Sequence, residues 1–192
     1  MSTPMDARNA ERAQAGGADR AAPAAEPRFA AAMRTRTFSW QDPAATAAEG
    51  LKLAGIDYIR AIQSGELPPP PIAKLLDMRI VEAEEGRAVF ALEPAEWMYN
   101  PIGMVHGGIA ATILDSCMGC AVHTTLPASV GYTTTDVQLR YIRAMGGATG
   151  RVLAEGRVVH AGRRTATAEG RVFTEAEDTL IAHGSTGCAI LR

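Results

Sequence analysis

Between Trp97 and Thr135 the chain carries one carboxylate, Asp115, and no Lys or Arg. Asp115 stands among Ile113, Leu114, Cys117 and Met118, in the most apolar stretch of the sequence. A lone carboxylate is costly to bury, and a capping role does not suit a position eight residues into a helix. What is left is a structural hydrogen bond or a chemical role, as base or nucleophile near a carbonyl carbon. Eight residues earlier the chain reads His106-Gly107-Gly108. At the mouth of a helix such a stretch offers unpaired N–H groups and a positive dipole end, and glycine lets a ligand approach closely. That arrangement stabilises negative charge on a carbonyl oxygen. Gly107 and Asp115 lie about 12 Å apart along one helix, at 1.5 Å per residue, too far to serve one carbonyl together. Two antiparallel helices related by a two-fold axis can do so, each giving its mouth to one site and its Asp to the other.

Cys117, Cys120 and His123 share a helical face and invite a zinc or redox reading. No fourth ligand or second cysteine pair accompanies them, and redox CxxC pairs open helices, so small packing residues account better for them. Trp97, Met98 and Tyr99 are candidates either for a pocket lining or for core.

These residues need elements to position them. The segment 104–124 predicts a helix of about five turns, opened by Gly107-Gly108 and stopped before Pro127. "MRIVEAEEGRAVFALEP" reads as two strands around a tight turn at Glu85-Gly86. "YTTTDVQLRYIRA" predicts a strand over 132–144, and three more are expected at about 150–160, 164–174 and 179–190. Two strands, one helix and four strands with short turns imply an antiparallel sheet of about six strands wrapped around one long buried helix, an α+β architecture. Upstream, Asp42, Pro43 and Gly65 bracket a helix over 43–64, and "LPPPP" (67–71) reads as a stiff spacer. Residues 1–42, rich in Ala, Gly, Pro and Arg, predict an unstructured tail, with Met33 an alternative start. The expected division is thus 1–42, 43–71 and a domain at 72–192.

The 192 residues suffice for one domain with a real core, and 47% are apolar. A net charge of −2 gives no electrostatic case for nucleic acid or an anionic membrane surface. No apolar run reaches the ~18 residues needed to span a bilayer. No secretory signal is visible, and three cysteines suggest no disulfide framework. A cytoplasmic protein is the expectation.

"NPIGMVHGGIAATILD" followed by "YTTTDVQLRYIRA" resembles the PaaI-like, phenylacetate-pathway type of hotdog-fold thioesterases. The resemblance covers about 72–192 and rests on Asn100, His106-Gly107-Gly108 and Asp115. It implies hydrolysis of acyl-CoA thioesters, no metal, no cofactor beyond the coenzyme A of the substrate, and a homodimer or tetramer of dimers. It further implies that Asn100 and the Gly107 amide hold the thioester carbonyl, with Gly108 adjoining. Asp115 would be base or nucleophile, and a hydroxyl on the next strand would orient water, best placed at Thr134, with Thr133 or Thr135 as alternatives. His106 would be a second base or simply shape the helix entry, and Asn100 could instead stabilise its turn. Arg143, Arg163, Arg164 and Thr165 would meet coenzyme A phosphates or be ordinary surface groups. Relatives often end the strand "Tyr-x-Arg-Pro", where here Arg143 precedes Ala144, which affects the local turn. Two other functions share the fold: enoyl-CoA hydration and non-catalytic acyl-CoA binding. The hydratase pattern wants an acidic residue near Asn100-Pro101, and none lies between Glu96 and Asp115.

Overall fold

The computed structural model describes residues 32–192. Most of the expected tail, residues 1–31, lies outside the described residues, and 32–42 carry neither helix nor strand. Thr37–Arg192 form one folded unit. Its elements run α1 (Pro43–Gly50), α2 (Gly55–Ser64), α3 (Pro71–Leu76), β1 (Arg79–Glu84), β2 (Arg87–Leu92), α4 (Gly107–His123), β3 (Gly131–Tyr141), β4 (Val152–Ala161), β5 (Thr165–Thr174) and β6 (Leu180–Leu191). The sheet order is β1-β2-β4-β5-β6-β3, and every pair is antiparallel. This is the hotdog arrangement, a six-stranded sheet wrapped on one long helix.

The helix expected over 43–64 is two helices. Asp42 caps α1 by accepting from Ala44 N at 2.9 Å, and Pro43 occupies its first position. The turn then tightens, Lys52 N bonding Glu49 O and Leu53 N bonding Gly50 O, and Ala54 goes extended to restart as α2. The restart brings Gly55 against the end of α4: its N–H donates to Leu126 O at 2.9 Å, and a Cβ there would sit 1.8 Å from His123 O. Tertiary packing of α2 onto α4 thus overrides continuity. Gly65 ends α2 in the left-handed region at φ 84°. The spacer is also shorter than expected, because Pro71 is the first residue of α3 rather than the end of an extended run.

Ile113, Leu114, Cys117, Met118 and Val122 of α4 are fully buried against Phe90, Val152, Ala168 and Val172 of the sheet. The opposite side of α4, including Thr112, Asp115, Ser116 and Cys120, is only half-buried. β1 and β3 are the sheet's two edges. α2 covers β1, with Arg60 donating to Ala83 O (3.3 and 3.2 Å) and Gln63 to Val81 O (2.8 Å). β3 pairs with β6 alone among the described residues.

On the face of the sheet away from α4, Glu155 of β4 is 7% exposed and accepts from Arg87 Nε at 2.6 Å, Arg157 Nη2 at 2.7 Å and Arg171 Nε at 3.2 Å. Burial works against its charge, but the three guanidinium groups outweigh burial and hold the carboxyl below the usual carboxylate range. The folded state therefore binds this proton less readily than the unfolded state. The stabilisation is complete above about pH 4.5, the unperturbed carboxylate value, and fades as pH falls through the folded pKa. Glu155→Gln is expected to lower stability by on the order of 2 kcal/mol at pH 7. In thermal unfolding the gap to the wild type should close toward pH 3, and a gap independent of pH would contradict this origin.

Candidate active site

The mouth of α4 is built by its cap. His106 is exposed and extended, and its Nδ1 accepts from Gly108 N at 2.9 Å while its carbonyl accepts from Ile109 N at 2.9 Å. The His106 ring thus caps α4. Gly108 offers no donor to a ligand because the cap consumes its amide, which removes the direct role expected of it. The Gly107 N–H has no partner among the described residues. Tyr141, which sequence reasoning did not single out, lies over this glycine: its hydroxyl donates to Gly107 O at 3.0 Å, and a Cβ at 107 would meet the ring at 2.9 Å.

Asn100 begins the turn that leads into the cap. Its Oδ1 accepts from Ile102 N (3.1 Å) and Met104 N (3.2 Å), and Gly103 closes the turn at φ 79°. With the oxygen engaged, the Nδ2 amide is the free end, and it makes no hydrogen bond among the described residues. The turn thus both uses Asn100 and aims its donor group.

Asp115 and Thr134 come together. The Thr134 hydroxyl donates to Asp115 Oδ1 at 2.8 Å, from β3 to the half-buried side of α4. The neighbouring threonines do not join them. Thr133, exposed and on the alternate face of the strand, points away from Asp115, which removes it from the expected set. Thr135 is the extra residue of a β-bulge between Thr134 and Asp136, its hydroxyl donating to Asp136 Oδ2 at 3.2 Å.

Asp115 also lines a pocket of about 680 Å3 with Ser116, Cys120 and Tyr132. Burial, with the Asp115 charge adding, pushes the Cys120 thiol up to about 12. Cys117 faces the core, its thiol 3.3 Å from Leu114 O, and His123 lies between the rings of Tyr58 and Tyr132 at 5.4 and 5.5 Å. Among the described residues no group of three His, Cys, Asp or Glu side chains is placed to hold a metal ion. A thiol this reluctant to ionise is almost wholly protonated at neutral pH. Iodoacetamide at pH 8 is therefore expected to label native Cys120 at least about a hundredfold more slowly than a free thiol, as read by peptide mass; labelling at the free-thiol rate would contradict the raised thiol pKa.

The basic residues separate into two groups. Arg143 follows β3 and donates from Nη1 to Leu180 O at 2.9 Å, at the start of β6. Arg163, Arg164 and Thr165 form the exposed turn into β5, where Arg164 O accepts from Ile190 N at the end of β6. Nine residues of strand put the two groups about 30 Å apart, so one protomer does not gather them into a single phosphate site. The same division holds for the rest. Gly107 lies with Tyr141 and Arg143 at one end of β3, and Thr134 and Asp115 lie toward the other, nearer Arg163. Around the first group Ile102, Met104, Tyr141 and Ile142 are exposed, as are Trp97 and Tyr99, whereas Met98 is core.

The site thus combines, on one helix against a hotdog sheet, a capped mouth with a spare amide and a hydroxyl-held carboxylate. The family model of the thioesterase superfamily matches residues 102–181. A protein of Halobacterium salinarum named as an esterase is 37% identical over 97 residues, 47% of this chain and 62% of its own length, so the chain spans less than two thirds of that relative. A conserved protein of Pseudomonas aeruginosa is 30% identical, with 64% of this chain and 95% of that one covered and a TM-score of 0.59. The Escherichia coli PaaI protein of the phenylacetic acid degradation operon has a TM-score of 0.62 over 73% of this chain and 96% of that one. At 18% identity it shows the fold. The chain belongs to the thioesterase superfamily, and it shares its hotdog fold with the PaaI protein. No helix among the described residues is long and apolar enough to cross a membrane.

Proposed function

We propose that the protein hydrolyses acyl-CoA thioesters to a carboxylic acid and free coenzyme A, at sites shared between two protomers. The observation that carries this reading is the oriented carboxylate, Asp115 held by Thr134 at 2.8 Å, on the same helix as an unspent amide at Gly107. Asp115 takes a proton from water as the hydroxide oxygen adds to the thioester carbon. The resulting oxyanion is met by the Gly107 N–H and Asn100 Nδ2. Collapse expels the coenzyme A thiolate, which takes up a proton, and leaves the acid.

The two half-sites lie toward opposite ends of β3, whose outer edge is unpaired among the described residues. Antiparallel pairing of two β3 strands about a two-fold axis brings one protomer's Gly107 end toward its partner's Asp115–Thr134 end. It also covers the exposed apolar side chains near Tyr141 and draws Arg143 toward the partner subunit's Arg163–Arg164 turn, where coenzyme A phosphates would sit. A tetramer of such dimers suits the family resemblance, and a CoA-ester substrate suits a cytoplasmic setting. Thiol release from a panel of acyl-CoA esters tests the proposal. Turnover by the wild type with loss in Asp115→Asn supports it. Binding of the esters without release would instead make the protein a non-catalytic acyl-CoA binder.

A further inference from the structure

The sequence does not say what α2 and α3 are for beyond shielding β1. The pocket beside Asp115 does. One part of its lining is the half-buried Asp115, Cys120 and Tyr132, its body is apolar, and other lining residues lie at the solvent surface. The apolar wall comes largely from the N-terminal elements: Ile59 and Ile62 of α2 and Ile72 of α3 face Met78 and Phe90. Ile59, Met78 and Phe90 are buried, Ile62 is half-buried, and Ile72 is 42% exposed. The outer rim is formed by the exposed Gln63, Lys74 and Arg79. At about 680 Å3 the space lies in the ~300–1,000 Å3 range of small-ligand sites.

The apolar walls and the continuity with the carboxylate identify the occupant. Coenzyme A is polar and anionic and suits the arginine-bearing side of the site. The group that suits an apolar passage starting at the reacting carbon is the acyl chain. The passage opens to solvent at its far end, so it limits chain width rather than chain length. Ile59 and Ile62 recur on one face of α2 because that face is channel wall as well as packing surface.

We propose that α2 and α3 form the acyl-selecting wall, and that the channel takes unbranched acyl chains of eight carbons and more, with the tail emerging between Gln63, Lys74 and Arg79. This rests on the thioesterase reading and adds the substrate class to it. Apolar burial at ~0.8 kcal/mol per methylene makes each added carbon count until the chain reaches the rim.

The test measures kcat/KM for butyryl-, octanoyl- and dodecanoyl-CoA with the wild type, Ile62→Trp and Ile72→Trp. The wild type is expected to favour octanoyl over butyryl by at least tenfold and to hold that level at dodecanoyl. Ile72→Trp, near the open end, should lower the dodecanoyl-to-butyryl ratio at least tenfold. Ile62→Trp, deeper in the wall, should lower the octanoyl-to-butyryl ratio as well. Butyryl turnover with octanoyl excluded, or ratios unmoved by either tryptophan, would overturn the channel and leave the thioesterase reading standing. Release of coenzyme A from none of the three esters overturns both.

Discussion

Asp115→Asn is expected to lower kcat for acyl-CoA hydrolysis by about a thousandfold, with KM changed only a few-fold. The substitution is close to isosteric, and the amide oxygen can still accept the Thr134 hydroxyl that now sits 2.8 Å from Asp115 Oδ1. What is lost is the negative charge and the capacity to take a proton. Free coenzyme A released under saturating substrate measures kcat, and unchanged circular dichroism shows that the fold is intact. Thr134→Val keeps a β-branched residue in β3 and removes only the hydroxyl that orients the carboxylate, so its effect should be smaller, about tenfold. A variant with Asn at 115 that retained a tenth of wild-type kcat would remove Asp115 from the chemistry.

The second large effect is expected at Gly107, where the backbone rather than a side chain acts. Gly107 is the first residue of α4, a position that accepts proline, and His106 before it is already extended at φ −60° and ψ 133°. Gly107→Pro therefore deletes one N–H group without breaking the helix. Gly107→Ala is its control: it brings a Cβ against the Tyr141 ring at 2.9 Å but keeps the amide. Tyr141 is 56% exposed and can yield. The proline variant should fall below the alanine variant in kcat by about a hundredfold or more, the usual cost of one lost oxyanion donor. Equal rates in the two variants would mean that the Gly107 amide does not meet the oxyanion.

The order of elements in the hotdog domain could be read from pattern because each strand is bounded by turn residues and α4 is a single apolar run. Local patterning reached less far upstream. The break at residues 51–54 follows from the close approach of Gly55 to the end of α4, and nothing local announces it. The Asp115–Thr134 pair illustrates both sides. Family resemblance pointed to a hydroxyl on β3, but among three consecutive threonines the choice depends on the alternation of faces and on the bulge at Thr135, which register against β6 sets. Tyr141 over Gly107 and the three arginines on Glu155 join residues far apart in sequence, and no short motif encodes either. The basic residues show the opposite lesson. Arg143 and Arg163 read as one cluster in the chain's chemistry, yet they stand at opposite ends of β6, and only a second protomer can reunite them.

That division makes the shared site the central claim, and subunit mixing tests it most directly. Asp115→Ala and Gly107→Pro chains, each nearly inactive alone, are unfolded together in equal amounts and refolded. Random pairing makes half the dimers mixed, and each mixed dimer has one intact site of two, so about a quarter of wild-type activity should return. A mixture no more active than its two parents would contradict the account.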